Sequence, residues 1–491
     1  MKKSGLLLSI LLLAFLVRLV LLNQSFWLDE AAQALESIRP FSQQLQIGYD
    51  FQPPLYHVLV HFLTKVSLKE WWLRSLSLLA GVGTVYLTYL IGIETGGNKK
   101  KGVAIGLLAS LFLSLSVIHI FYSQELRPYA LAAWWGALSW YALLKRKQNK
   151  TTWLVFVGSS LAGIYTMYVY PFLLFSQAMY VFFHAKSVWK TMLKSLAIIV
   201  LFSLPLAPLF FNQLQIGTQL RIQLPGWEQV VSLPQWKALP LVGVKFLSGL
   251  DRVSFSTVLS SIYATGPLIL VGALGVWFFL KKKTATPITP YLYWFGVSIL
   301  AAWLVSFVVP VIQPKRVLFA LPAVYLLIAY MAMELPVHYK KTFVVLFILL
   351  QMWMIGSYWT KPANHREDWR GVVATLHAQF PTDSTIIVFG SYEPLAPWTW
   401  YERTESLKFR TLSIASIRSV TPQDIEKNMP TVLPYTHVLV LDYLRDLTDP
   451  SRGIERWLES HGYKGVASLD TTNIGFIRQY EKQQFLSSGR D

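Results

Sequence analysis

Eleven apolar runs constrain this chain more than any other feature. They fall at about 1–22, 75–93, 103–121, 128–144, 153–169, 171–185, 195–211, 260–280, 291–309, 317–334 and 342–359. Each is near the ~17–25 residues that cross a bilayer core of about 30 Å as a helix. Lipid offers no partner to backbone N–H and C=O groups, so such runs must close their own hydrogen bonds as helices. Only 14% of the chain is charged, against about 25% in soluble domains. The expectation is a polytopic membrane protein rather than a soluble enzyme.

The basic residues set the topology. Five clusters punctuate the runs: NKKK (98–101), KRKQNK (145–150), KSVWKTMLK (186–194), KKK (281–283) and YKK (339–341). Lys and Arg gather on the cytoplasmic side of a membrane. All five clusters fall there if PPLYHVLVHFLTKV, from Pro53, lies along the interface instead of crossing. MKKSGLLLSILLLAFLVRLVLL resembles a signal peptide, but no small-x-small site follows. It is read as an uncleaved first helix with Lys2 and Lys3 inside. The 24–74 loop, the turn at 122–127, the 212–259 loop, residues 312–316 and everything after 360 then share the external face. The net charge of +18 follows from this arrangement and does not require nucleic acid. There are no cysteines, which removes disulfides, thiol nucleophiles and thiolate metal sites.

Residues 1–360 hold 29 basic and 10 acidic residues, and residues 361–491 hold 15 and 16. That shift divides a membrane domain (1–360) from a tail (361–491). In the tail STIIVFG, THVLVLDY and IGFIRQY read as strands and SRGIERWLESHGY as an amphipathic helix. They predict a small extracytoplasmic α/β domain.

Acids are rare in the membrane part, yet Asp29, Glu30, Glu36 and Asp50 all lie in the first loop. Glu125, in YSQELRPYAL, is the sole acid between 95 and 227. Asp29 and Glu30 are helix neighbours and point about 100° apart, so they cannot easily share one task. Taken alone, they fit a solvated helix start, where acids favour the dipole. Glu125 with Arg127 fits an interfacial ion pair equally well. An isolated ionisable group at a membrane helix end nevertheless marks a functional candidate. Lys315 and Arg316, in QPKRVLFALPAVYLLIA, sit externally against the charge bias. They either snorkel to headgroups or clamp an anionic phosphate. Carboxylates to activate a hydroxyl beside cations that stabilise a departing phosphate fit sugar transfer from a lipid-linked donor.

These segments resemble the membrane-embedded GT-C glycosyltransferases, in particular the bacterial and archaeal relatives of protein O-mannosyltransferases and lipid A aminoarabinose transferases, which are glycosyltransferase family 39-like. WLDE (27–30) is similar to the family's acidic first-loop motif, and QPPLYHVLV (52–60) to its PPLY segment. YSQELRPYAL is the closest match. PKRVLFALPAVYLLIA and HREDWRGVVATL (365–376) complete the set, with Gln52 and Val317 departing from the common pattern.

The resemblance implies a GT-C-type fold of about eleven transmembrane helices, with interfacial helices in the first external loop. It implies an inverting single displacement from a polyprenyl-phosphate sugar to a lipid, glycan or protein hydroxyl at the external face of the plasma (inner) membrane. By that likeness Asp29 is the general base, Glu30 shapes the site, and Glu125 supports it. Arg127, Lys315, Arg316 and Tyr122 are candidates for the donor phosphate, and His57 for substrate. Asp29, Glu30 and Glu125 could hold Mg²⁺ or Mn²⁺ through oxygen, which the sequence does not demand. No Gly-rich phosphate loop argues for a nucleotide donor. A lipid-sugar flippase, which should show internal repeats, a pyrophosphate-dependent ligase or polymerase, and a non-catalytic subunit are the alternatives.

Overall fold

The computed structural model describes residues 2–48, 50–145, 148–224, 235–249, 258–281, 288–391 and 395–483. Arg146, Lys147, Lys282, Lys283, Glu228 and Asp251, the side chains of Lys2 and Lys3, and most of the stretch between 225 and 257 lie outside that description.

Each of the eleven apolar runs coincides with a helix. In the first part these are α1 (Lys2–Leu19), α2 (Leu28–Ile38), α3 (Leu55–Thr64), α4 (Glu70–Leu73), α5 (Ser75–Thr95), α6 (Lys99–Ser114), α7 (Val117–Ser123) and α8 (Tyr129–Leu144). Of these, α2, α3 and α4 belong to the first loop. Lys150–Thr166, Tyr170–His184, Trp189–Ser203, Ala207–Gln223, Gln235–Ser248, Val258–Leu280, Thr289–Val305, Leu321–Glu334 and Val337–Thr360 follow.

By length and composition, four helices among the described residues can cross a membrane, or five if α6 and α7 count as one span bent by 66°. The expected 103–121 span is that bent pair. The KSVWKTMLK cluster is not a loop: helix runs from Lys186 to Leu220, because the Lys spacing leaves an uninterrupted apolar face between the charges. That helix turns Ile198, Val200, Leu201, Phe202, Leu204 and Phe211 outward, a surface that hydrocarbon covers better than water does. Helix α3 has ten residues and spans about 15 Å, half of what a crossing needs. Phe41, Leu45, Phe62 and Val66 are exposed around it.

Two glycine pairs draw α5 against α6. A Cβ on Gly92 would stand 2.5 Å from Gly106 Cα, so only the glycine hydrogens permit this approach. Gly96 and Gly102 repeat the pattern one turn on. Ser110 Oγ donates across the seam to Val85 O at 3.1 Å. At the other end of the bundle from the first loop, Lys101 pairs with Glu334. The NKKK cluster and the segment before YKK therefore share a side.

The tail carries β1 (Thr385–Ser391), β2 (Arg410–Ala415), β3 (His437–Leu441), β4 (Tyr463–Thr471) and β5 (Gly475–Lys482). Their order is β2-β1-β3-β5-β4. The strands β2, β1 and β3 run parallel, and β5 is antiparallel to β3 and β4. Alternation splits the sheet into two faces. Ile386, Val388, Val438 and Val440 pack with Ile454 and Trp457 on one side. Ile387, Phe389, Leu439 and Leu441 join Trp369, Trp398 and Trp400 on the other, and that cluster continues into Phe26, Ala31, Ala34, Tyr56 and Leu73 of the first loop. The tail and the first loop thus share one core.

Candidate active site

The first loop leaves α1 and enters α2 through an extended Trp27 with no side-chain cap. The acids Asp29 and Glu30 occupy the first turn, where the helix dipole favours them. Their side chains diverge as the helical geometry demands. Glu30 turns inward with Ala31, Gln33, Ala34 and Ser37. Asp29 turns outward and keeps about a third of its side chain exposed.

Glu30 is fully buried. Arg74 donates to it twice, Nε to Oε1 at 2.8 Å and Nη2 to Oε2 at 2.6 Å, and Leu126 N–H donates to Oε1 at 2.6 Å. Arg366 Nε stands 3.7 Å from Oε2. Burial opposes ionisation, but Arg366 and Arg74 outweigh it and hold the carboxylate below its ordinary range. Arg74 also donates to the carbonyls of Leu22, Gln24 and Ser25, so it closes the end of α1 and fixes the start of α2 together.

Glu125 follows α7 and is buried beside Glu30. Trp27 Nε1 donates to its Oε1 at 3.1 Å, Arg366 Nη2 lies 3.9 Å from Oε2, and Oε2 has no hydrogen-bond partner. Burial pushes this carboxyl up; Arg366 pulls it down, and the Glu30 charge pushes it up again, with a net rise. The two neighbouring acids are thus shifted in opposite directions, Glu30 down and Glu125 up.

The basic candidates separate. Arg127 makes a two-toothed bond to Asp50, at 2.7 and 2.8 Å, and touches Asp29 O at 3.4 Å. Its charge is already spent on a carboxylate. Lys315 stands beside Asp29, with Nζ 3.9 Å from Oδ2, and over the rings of Trp27 and Tyr129 at 5.3 and 5.5 Å. Arg316 donates to Pro310 O at 3.0 Å. Tyr122 packs edge-on against Tyr129, 5.4 Å between centroids, which places it one ring away from Lys315. His57 is fully buried on α3, between Glu36 and Asp50 at 3.3 Å each.

Asp29, Glu30, Glu125, Lys315 and Arg127 therefore come together, from three separated segments. As a metal cradle the three acids fit poorly, because the oxygens of Glu30 already accept from Arg74 and Leu126. Among the described residues, the acids and histidines whose ligating atoms gather within 4.8 Å are Glu36, Asp50 and His57 instead.

Sequence reasoning passed over Arg74, Arg366, Trp27 and Glu367. The argument that singled out Lys315, a cation outside against the bias, applies equally to Arg74. Arg366 and Glu367 lie in HREDWR, where only the resemblance drew notice. Glu367 accepts from Trp369 Nε1 at 2.7 Å and Tyr443 OH at 2.9 Å, and from Leu28 N–H at the start of α2. Burial pushes its pKa up to about 7; Trp369 and Tyr443 pull it down, and the Asp29 charge adds to the rise.

The folded value of Glu367 exceeds the ordinary 4.5, so the folded chain holds a proton that the unfolded chain releases. That contribution is intact at low pH and is lost as pH rises through about 7. Glu367→Gln mimics the protonated acid. It is expected to raise the melting temperature in micelles at pH 8, by an effect on the order of 3 kcal/mol, with a gap that narrows steadily towards pH 5. A pH-independent gap would contradict this.

No family model matches the chain. An uncharacterized protein of Aquifex aeolicus is 32% identical over 148 residues, a match spanning 28% of either chain. Solved structures align far more completely. ArnT from Cupriavidus metallidurans, bound to undecaprenyl phosphate, covers 97% of both chains at 10% identity with a TM-score of 0.58. The archaeal oligosaccharyltransferase AglB from Archaeoglobus fulgidus, in complex with an inhibitory peptide and a dolichol-phosphate, covers 98% of this chain and 75% of its own at 13% identity, with a TM-score of 0.51. The chain is a multi-pass helical membrane protein with a small sheet-bearing tail. Its fold is the GT-C fold of these glycosyltransferases.

Proposed function

We propose that this protein is an inverting glycosyltransferase that moves a sugar from a polyprenyl-phosphate donor to an acceptor hydroxyl at the external membrane face. In this reading all eleven runs cross, the N-terminus is cytoplasmic, and residues 361–491 form an extracytoplasmic domain. The juxtaposition of Asp29 and Lys315 carries it: a partly exposed carboxylate and a cation 3.9 Å apart, on segments 286 positions apart in sequence.

Asp29 takes the acceptor proton as the acceptor oxygen bonds to the anomeric carbon. The bond from that carbon to the phosphate oxygen breaks on the opposite side, which inverts the centre. The electron pair leaves with the phosphate, and Lys315 stabilises its charge. Arg316 extends the cationic edge, and Tyr122 and Tyr129 wall it. Glu30 positions α2 through Arg74 and does not react. Glu125, whose carboxyl burial pushes up, borders the base.

The test is transfer in proteoliposomes. The purified chain receives a panel of labelled polyprenyl-phosphate and polyprenyl-pyrophosphate sugars and host membrane extract. The expected result is label moved from one donor to an acceptor fraction with release of polyprenyl phosphate. Donor carried across the bilayer with no transfer would sink the proposal in favour of a flippase. Transfer only from pyrophosphate-linked donors would replace it with a ligase or polymerase.

A further inference from the structure

A groove lies on the bundle at the end opposite the first loop. Three helices that start at that end form it: α1, α6 and the helix Val337–Thr360. Leu6 and Ile10 line it from α1, Leu107 and Leu111 from α6, and Lys340 and Val344 from the third helix. Each pair is spaced at i, i+4, so each helix gives the groove one face. The volume is about 480 Å³, within the range of small-molecule sites. From Ala104 to Leu111, α6 rises about 10 Å, a third of the ~30 Å depth of a bilayer core.

Apart from Ser9 and Lys340, the lining is apolar. Ser9 Oγ is satisfied within α1, donating to Gly5 O at 3.1 Å. Lys340 therefore brings the charge. It is half-buried, and among the described residues no carboxylate pairs with it. Lys101, on the same side of the bundle, is neutralised by Glu334. Lys99, Lys100 and Lys341 are exposed, and the first turn of the helix Val337–Thr360 holds no acid. This end of the bundle is short of negative charge where an apolar groove opens.

We propose that the groove binds one anionic glycerophospholipid, with an acyl chain between the three helices and its phosphate at Lys340. The apolar lining accepts the chain with no polar group to desolvate. The ammonium gains the countercharge that no side chain provides. Basic pockets between membrane helices select anionic headgroups in this way. A zwitterionic lipid brings the same chains but carries a cation beside its own phosphate, so charge decides between the two. The first loop is at the other end of the bundle, and the assignment does not depend on sugar transfer.

The experiment is native mass spectrometry of the full chain, delipidated in micelles and then given dioleoyl phosphatidylglycerol or, separately, dioleoyl phosphatidylcholine. One phosphatidylglycerol per chain is expected, bound about fivefold tighter than phosphatidylcholine, the effect of one lysine beside an anionic headgroup. Lys340→Gln should erase that preference and leave phosphatidylcholine binding as it was. Lys341→Gln, at a position outside the groove, should keep the preference. Ala104→Phe, which puts a ring into the groove, should weaken phosphatidylglycerol binding by about tenfold. Folding of each variant is checked by its elution profile, and Lys340→Gln keeps the test decisive if Ala104→Phe does not fold. Equal binding of both lipids by the wild type would overturn the assignment. So would a preference that survives in Lys340→Gln or is lost equally in Lys341→Gln, or affinity unchanged in Ala104→Phe. Displacement of the bound phosphatidylglycerol by stoichiometric undecaprenyl phosphate would give the groove to a polyprenyl tail instead.

Discussion

Asp29→Asn is expected to slow sugar transfer by about 10²–10⁴-fold while donor binding persists. Asn has the size and shape of Asp and can accept a hydrogen bond, but it cannot take a proton at neutral pH. The loss therefore isolates the base. Asp29 is suited to that role because it is the acid in this cluster that the protein has not otherwise engaged. Glu30 is enclosed by Arg74, Leu126 and Arg366. Glu125 is pushed towards its neutral form. Asp29 keeps a face open to an incoming hydroxyl and a cation on its flank. Its side chain lies outside the shared core, so the melting temperature should stay within a degree or two of wild type. Single-turnover transfer and donor binding, measured on the same preparations, separate the two effects. Equal transfer by variant and wild type would remove Asp29 from the role.

Arg74→Ala should do the opposite. Breaking one partner out of a buried ion pair costs about 3–5 kcal/mol, because the other charge stays behind in a medium that cannot solvate it. Here the cost has two parts. Glu30 loses both of its bonds to a guanidinium, leaving Arg366 at 3.7 Å as its nearest countercharge. The carbonyls of Leu22, Gln24 and Ser25 lose their donor as well. Thermal unfolding in micelles should show a large drop and early aggregation. The pair Arg74→Met with Glu30→Gln, which removes both charges and keeps their volume, should recover part of that stability. A melting curve for Arg74→Ala that overlays wild type would refute the hub described for Glu30. The contrast between the two substitutions also separates catalysis at Asp29 from architecture at its neighbour Glu30.

Hydropathy read the helical part well because in lipid the backbone has no alternative to a helix. Each apolar run carries one, from Ser75–Thr95 to Val337–Thr360. Charge patterning served less well. Lys186, Lys190 and Lys194 sit in a helix, since long side chains can reach water without ending one. In the tail, β1, β3 and β5 were legible as apolar or alternating runs. The edge strands β2 and β4 were not: β4 is largely exposed, and exposed residues leave no hydrophobic signature. For the site, the rarity of acids pointed to Asp29, Glu30 and Glu125. Sequence gave no means to assign them different tasks, because the partners that do so are distant: Arg74 lies 44 positions from Glu30, and Arg366 joins from the tail. The Glu36–Asp50–His57 cluster escaped for a similar reason. Its members are spaced irregularly through a loop, and only the return of α3 onto α2 brings them together.

The shared core between first loop and tail has a consequence for how the molecule comes into being. Arg370 bonds to Ser25 across 345 positions of chain, and Trp400 lies against Phe26. At about 5–20 residues per second of synthesis, the first loop waits on the order of tens of seconds for the segment that covers it. During that interval α2 has an apolar flank with no mate, and Asp29 stands on a helix not yet pinned at its outer side. In the proposed reading, the site is completed late, by docking of the tail.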